Sequence, residues 1–237
     1  TSDDGIVYDD RLLVQGEVPP RRFFGRWKDY GPCYVRGIVE GNGNPPGDDL
    51  WLTYSMNKED MWVSRVPLPV RYAVDKDVND AFDSMNTNGT VTDWNIHDPK
   101  WANVDVVDFP SVSNKSLRLQ DSDPHDYARA VRVFPETTAL SVSINILPKQ
   151  NDTGVLEYEV VDRYGFRPVR IKFDTDGWIK ALDGSTEKKL VKYSPDEWVK
   201  LDLSVDATLY GSFSVSINDK VVLKDAQLAV AVKSVER

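Results

Sequence analysis

Cysteine, histidine and long apolar runs are nearly absent from this 237-residue chain. The single cysteine, Cys33, excludes an internal disulfide framework and any Cys-based zinc cluster. It follows Gly31-Pro32 at the entry to a strand-like run and reads as a small buried thiol. The two histidines, His97 and His125, are too few and too far apart in sequence for a histidine metal site, and either acts as an acid or base only if the remaining part of a larger protein supplies partners. No apolar run approaches the length that crosses a bilayer, so no membrane span is expected. A basic run is missing too: 29 Lys and Arg stand against 38 Asp and Glu, a net charge of -9 spread along the chain, which excludes nucleic acid as a partner. Helix-period patterns are scarce.

What is present is strand pattern. With 41% hydrophobic and 28% charged residues the composition is that of an ordinary folded protein, and seven Trp with ten Tyr suit β-cores and sugar-face stacking alike. Tyr34 to Glu40, Leu50 to Ser55 and Met61 to Val66 read as three strands joined by an Asn/Gly/Pro loop and the turn Asn57-Lys58-Glu59-Asp60. Such a meander has the shape of one propeller blade, which is stable only when stacked on neighbours around a ring. The expectation is therefore that 1-72 is the last blade region of a β-propeller and that the chain is the C-terminal piece of something larger, consistent with its start at Thr1-Ser2-Asp3 without methionine. After a boundary near residue 72, residues 73-237 carry strict alternation. Leu140, Val142, Ile144 and Ile146 alternate with Ser141, Ser143 and Asn145, and the same rhythm recurs at 169-173, 199-205 and 213-217. Asn218-Asp219 turns the last of these into Lys220 to Lys224 as a hairpin. The fold class expected is all-β, a partial propeller followed by a jelly-roll sandwich.

Two resemblances sharpen this. The runs 194-206 (SPDEWVKLDLSVD) and 211-222 (GSFSVSINDKVV), together with 114-134 (NKSLRLQDSDPHDYARAVRVF), resemble the laminin-G and concanavalin A-like sandwich pattern. The first segment, through GPCYVRG, EGNG and YSMNKEDMWVSRVPLP, resembles the closing part of sialidase-like, BNR-type propellers of bacterial carbohydrate-active enzymes. That second resemblance implies an exo-acting glycoside hydrolase, some relatives of which are polysaccharide lyases. It also implies arginines that clamp a substrate carboxylate and a tyrosine paired with a glutamate as nucleophile.

With a period of two, Tyr34, Arg36, Ile38 and Glu40 share one strand face, so Tyr34, Arg36 and Glu40 are the candidate catalytic residues under the resemblance. Arg22, Lys28 and Tyr30 place cations and an aromatic in a loop suited to an acidic sugar and are the candidate substrate-binding residues. Asn57 to Asp60 reads as a structural turn whose side chains hold backbone. Glu157 and Glu159 share a face but lack the Glu-x-Asp-x-Glu order of concanavalin A-like glucanases, so they read as an outward strand face. Asp121, Asp123 and Asp126 gather hard oxygens in one turn and are the metal candidates, with calcium the ion they suit; no cofactor is required. The expected function is the C-terminal portion of a secreted or periplasmic carbohydrate-active enzyme acting on an acidic or complex polysaccharide. Its partners are that oligo- or polysaccharide and the remaining propeller polypeptide. The alternative is a non-catalytic glycan-binding or adhesion module, or a lyase of similar propeller fold.

Overall fold

A computed structural model describes residues 6, 14, 22-28, 31-44, 46-66, 76-87, 89 and 91-237. All regular structure among them is β, in antiparallel sheets, none of which closes on itself, and no helix long and apolar enough to cross a membrane occurs. Two compact units divide between Val133 and Phe134. The expected boundary near residue 72 lies outside the described residues.

In the first unit, β1 (Pro32–Gly37), β2 (Leu50–Met56) and β3 (Asp60–Val66) form a three-stranded sheet in that order. β-Branched and aromatic residues populate β2 and β3, and pairing of Tyr54 with Trp62 and of Met56 with Asp60 puts the buried Tyr54 and Met56 on one face. The other face keeps Met61 and Val63 exposed. Asn57 and Lys58 adopt φ of 55° and 56°, the left-handed conformation that reverses the chain between β2 and β3 and that Asn tolerates well. Two ribbons complete the unit: β4 (Trp94–His97) pairs with β7 (Arg129–Arg132), and β5 (Ala102–Ser111) with β6 (Asn114–Asp121).

The second unit holds β8 (Ala139–Ile146), β9 (Leu156–Val160), β10 (Val169–Phe173), β11 (Trp178–Asp183), β12 (Thr186–Lys192), β13 (Val199–Asp206), β14 (Ser212–Ile217) and β15 (Lys220–Gln227). They make two four-stranded sheets, ordered β12-β11-β10-β9 and β15-β14-β13-β8. The inward residues of both sheets share one core, in which Ile171, Phe173 and Ile179 from the first meet Leu201, Phe213 and Val215 from the second. Each such side chain contributes about 1.5–3 kcal/mol on burial. The alternation that announced these strands is the cause: every second residue must leave water, and the serines and charges between them remain outside. Asn218 and Asp219, at φ of 49° and 64°, form the expected hairpin turn between β14 and β15.

Candidate functional site

The turn after β2 organises the loop that precedes β1. Asn57, only 1% exposed, accepts the Gly31 amide on Oδ1 at 2.8 Å, and its own amide donates to the Gly31 carbonyl at 3.0 Å. The Glu59 carboxylate, 2% exposed, accepts the amides of Arg22 at 3.0 Å and Phe23 at 2.8 Å. Lys58 Nζ donates to the Trp27 carbonyl at 2.8 Å, while Lys28 Nζ donates to the Lys58 carbonyl at 2.7 Å. Arg22 closes the set with an ion pair to Asp60. The Arg22 amide, then the Phe23 amide and the Lys28 and Arg22 cations, hold the Glu59 carboxyl below its ordinary range against the opposing effect of burial. The turn expected to hold backbone does so, and what it holds is Arg22, Phe23, Trp27, Lys28 and Gly31.

The result is a fixed loop that turns aromatic rings outward. Phe23, Phe24 and Trp27 are exposed, Trp27 by 76%, and Tyr34 of β1 is exposed as well. Cations lie over these rings: Arg26 at 5.1 Å from the Trp27 centroid, Lys28 at 5.8 Å from Phe23 and Lys58 at 5.5 Å from Tyr34. Of the three expected binding residues, Arg22 and Lys28 sit in this loop, with part of their charge committed to Asp60 and Glu59. Tyr30 lies outside the described residues. Arg26 and Arg36 have no carboxylate partner among the described residues, so their donors remain available to an anion.

The candidate catalytic set is not assembled as the period of two requires. β1 carries a bulge: Cys33 pairs with Ser55 but Arg36 with Thr53, so three steps on β1 match two on β2, and Tyr34 takes φ of 56° inside the bulge. The extra residue breaks the parity that would align Tyr34 with Arg36. The strand also stops at Gly37, and Glu40 instead makes a turn in which its amide donates to Asn44 and its carbonyl accepts the Gly43 amide. Among the described residues no hydrogen bond or ion pair joins the side chains of Tyr34, Arg36 and Glu40.

The metal candidates are likewise turned to another task. Asp121 Oδ1 accepts the Asp123 amide at 2.8 Å, and Asp123 Oδ1 accepts the amides of His125 at 2.9 Å and Asp126 at 3.2 Å. Asp126 Oδ1 lies 2.9 Å from His97 Nε2 and accepts the Tyr127 amide at 2.9 Å. These are turn-capping bonds, and no group of three or more His, Cys, Asp or Glu among the described residues converges as metal ligands do. His97 thus finds the partner that its sequence context did not reveal. Its ring stacks on Trp62 of β3, with centroids 5.0 Å apart and planes within 1°.

In the second unit Glu157 and Glu159 face outward, as their spacing indicates, and are bound by the neighbouring strand. Arg170 Nη2 reaches Glu157 at 2.7 Å, Arg170 Nε reaches Glu159 at 3.5 Å, and Arg167 reaches Glu159 at 3.3 Å. Farther along the same face Lys180, almost fully buried, sits among Asp174 at 2.6 Å, Asp176 at 3.0 Å and Glu187 at 3.5 Å. Its bond to Asp174, followed by that to Asp176, raises the Lys180 ammonium above its ordinary value. Bonds from Lys180 and then Lys172 hold Asp174 well below the carboxylate range. A shallow depression of about 230 Å³ lies on this face, lined by Glu157, Arg170, Lys172, Lys180, Leu182 and Glu187 with Ala181.

Comparison with known proteins places these features. The sialidase-like, CBM domain family matches residues 94–237. The chain belongs to that family. One solved structure, a sialidase, is similar at 34% sequence identity and a TM-score of 0.74, over 94% of this chain and 20% of the sialidase's own length. This chain therefore spans about a fifth of that protein. No curated protein matches the chain.

Membership of the sialidase-like, CBM domain family gives the chain a carbohydrate-related role, as the resemblance implied, without showing catalysis by the matched segment. That segment contains the ion-paired face around Lys180 and the His97–Asp126 contact but not the loop at 22-28. Sequence reasoning passed over both features. The signal for the first was alternation of charge on adjacent strands, with Arg170 and Lys172 opposite Glu159 and Glu157. The second needed the pairing of β4 with β7, which brings the Asp126–Tyr127 segment to His97 from 29 residues away.

Proposed function

We propose that this chain is the glycan-recognising part of a larger, secreted sialidase-like glycoside hydrolase, and that the bond-breaking residues are carried elsewhere in that longer polypeptide. The observation that carries the reading is the pinned loop 22-28 with its exposed rings, to which Lys58 ties Tyr34 by bonding the Trp27 carbonyl, and Arg26 and Arg36 have no carboxylate partner among the described residues. Aromatic faces pack on the C–H faces of sugar rings, and a guanidinium grips a sugar carboxylate bidentately, so the ligand class is an acidic glycan. The sialidase likeness over 94% of the chain supports the hydrolase setting, and the bulge at Tyr34 favours binding over catalysis for Tyr34, Arg36 and Glu40.

In this reading β1 to β3 belong to a propeller blade, and the exposed Met61 and Val63 are the apolar face that a neighbouring blade covers. The two sheets of the second unit form a concanavalin A-like jelly-roll sandwich. The division near residue 72 separates blade from sandwich-side sequence.

Isothermal titration of the 237-residue chain with acidic and neutral oligosaccharides tests the binding role. Acidic ligands should bind more weakly as salt rises, and Trp27→Ala and Arg36→Ala should each weaken them roughly tenfold, about 1.4 kcal/mol. Binding that ignores both substitutions would refute the assignment of this loop.

A further inference from the structure

The connection from β9 to β10 presents a second pair of aromatic rings, on a backbone that is fixed from below. Asp162, 5% exposed, opens the loop, and its Oδ1 accepts the amides of Tyr164 and Phe166, each at 2.8 Å. The loop is closed on itself by the Asp162 amide donating to the Phe166 carbonyl at 3.0 Å and the Gly165 amide donating to the Asp162 carbonyl at 3.2 Å. Gly165 at φ of +88° makes that reversal, a conformation with a high cost for a residue bearing Cβ. From the end of the chain, Arg237 Nη2 donates to the Asp162 carbonyl at 2.8 Å, and the amides of Glu236 and Arg237 both donate to the Val161 carbonyl at 3.1 Å.

On this support Tyr164 is 77% exposed and Phe166 is exposed beside it, with Arg163 and Arg167 on either side. The Arg163 guanidinium lies 5.7 Å from the Tyr164 ring centroid and 3.8 Å from Glu136. Arg167 pairs with Glu159, Glu159 with Arg170 and Arg170 with Glu157, a chain of ion pairs that runs from the loop to the depression in front of Lys172 and Lys180. The main chain that carries these rings is already fixed by Asp162, so a flat ligand that packs on them orders little backbone, which is how preorganised binding surfaces gain affinity. The charges beside these rings have a different balance from those at 22-28. Each arginine and lysine from the loop to the depression has a carboxylate partner, so this surface offers donors and acceptors to hydroxyl groups with no excess of either sign.

We infer that Tyr164 and Phe166, with the ion-paired depression beyond Arg167, form a second glycan contact that takes neutral oligosaccharides. The inference rests on the carbohydrate-binding role of the chain and adds a site and a ligand class to it. A pyranose ring stacks on Tyr164 or Phe166, and the hydroxyls of the following sugars bond to Glu157, Arg170 and Lys172.

The test is titration of the full chain with neutral gluco-, xylo-, manno- and galacto-oligosaccharides, with galacturonate oligomers as the acidic comparison. At least one neutral series should bind with little salt dependence, and Tyr164→Ala and Phe166→Ala should each weaken it roughly tenfold, the upper range of one aromatic contact. Tyr164→Phe should stay within about twofold, because the ring and not the hydroxyl makes the contact. Tyr164 is 77% and Phe166 55% exposed, so Tyr164→Ala should leave thermal unfolding unchanged, and the melting temperature of each variant separates lost binding from misfolding. Neutral binding that survives both ring truncations overturns this site and leaves the loop at 22-28 standing. Failure of every glycan, neutral and acidic, removes the carbohydrate role itself. If the ring truncations instead weaken association with another segment of the longer polypeptide while glycan affinity holds, the loop is a protein contact and the inference is wrong.

Discussion

Replacing Asn57 by alanine isolates the contact that holds Gly31 at the entry to β1. Two costs add. The Gly31 amide, buried at the end of the loop, loses its side-chain acceptor at 2.8 Å, which costs about 1–3 kcal/mol. Alanine must also adopt the φ of 55° that Asn57 holds, where its Cβ crowds the carbonyl, a further ~1–2 kcal/mol. The reciprocal bond from the residue 57 amide to the Gly31 carbonyl is backbone and survives. The expected total is about 2–5 kcal/mol of local stability. Asn57→Gly separates the two: it loses the acceptor but tolerates the backbone, so it should be less damaging by about 1 kcal/mol. Amide hydrogen exchange at Gly31 gives the local opening free energy without requiring the whole chain to unfold in one step. If Asn57→Ala exchanges the Gly31 amide within about 0.5 kcal/mol of the parent, or Asn57→Gly is no better than alanine, the turn does not hold Gly31 as argued.

Three further outcomes follow from the same contacts. Glu59 has a folded pKa below its unfolded value, so its contribution is fully present above the ordinary glutamate value of 4.5 and is lost as pH falls through the depressed folded value; Glu59→Gln should remove this acid sensitivity from exchange at Arg22 and Phe23, and an unchanged pH profile would contradict it. Asp174 behaves likewise: its stabilisation is present above its ordinary value of 3.8 and fades on acidification below it, so the melting temperature of Asp174→Asn should lie below that of the parent at pH 7 and converge on it in strong acid, and a gap that widens in acid would reverse the assignment. Gly211→Ala would set a Cβ 1.9 Å from the Asp206 carbonyl oxygen, a backbone clash that no side-chain movement relieves; the second unit should fail to reach its native state, and a soluble variant with parental near-ultraviolet circular dichroism would show that the β13 to β14 connection can yield.

The strands legible in the sequence are those whose two faces differ in chemistry. β8 and β10 were bounded to the residue because serines, or arginine and lysine, alternate with aliphatic side chains, and a shift by one would bury every polar group. The turn at Asn218-Asp219 was legible because Asn and Asp accept left-handed φ. β1 was displaced for the opposite reason: its bulge puts Tyr34, a bulky residue, at φ of 56°, where side chains of that size rarely sit, and no pattern announces it. The three aspartates at 121-126 illustrate a second limit. Carboxylates that cap turn amides and carboxylates that ligate calcium have the same spacing, and only the direction of their oxygens distinguishes them.

Where each carboxylate is spent also separates the two candidate glycan surfaces. In the first unit Glu59 and Asp60 are consumed in holding the loop, taking the amides of Arg22 and Phe23 and the charge of Arg22, so Arg26 and Arg36 are left with no anion among the described residues. In the second unit the carboxylates lie on the strand face itself, opposite the cations, and neutralise them in place. A chain of net charge -9 repels acidic polysaccharide at long range, and screening confines that repulsion to about 10 Å at 0.1 M salt. A local, uncommitted guanidinium can therefore still select an acidic residue at contact, whereas the neutralised face has only hydrogen bonds and ring contact to offer. Salt should accordingly weaken binding at 22-28 and leave binding at Tyr164 and Phe166 nearly constant, so one titration at two ionic strengths distinguishes the sites by the physics that built them.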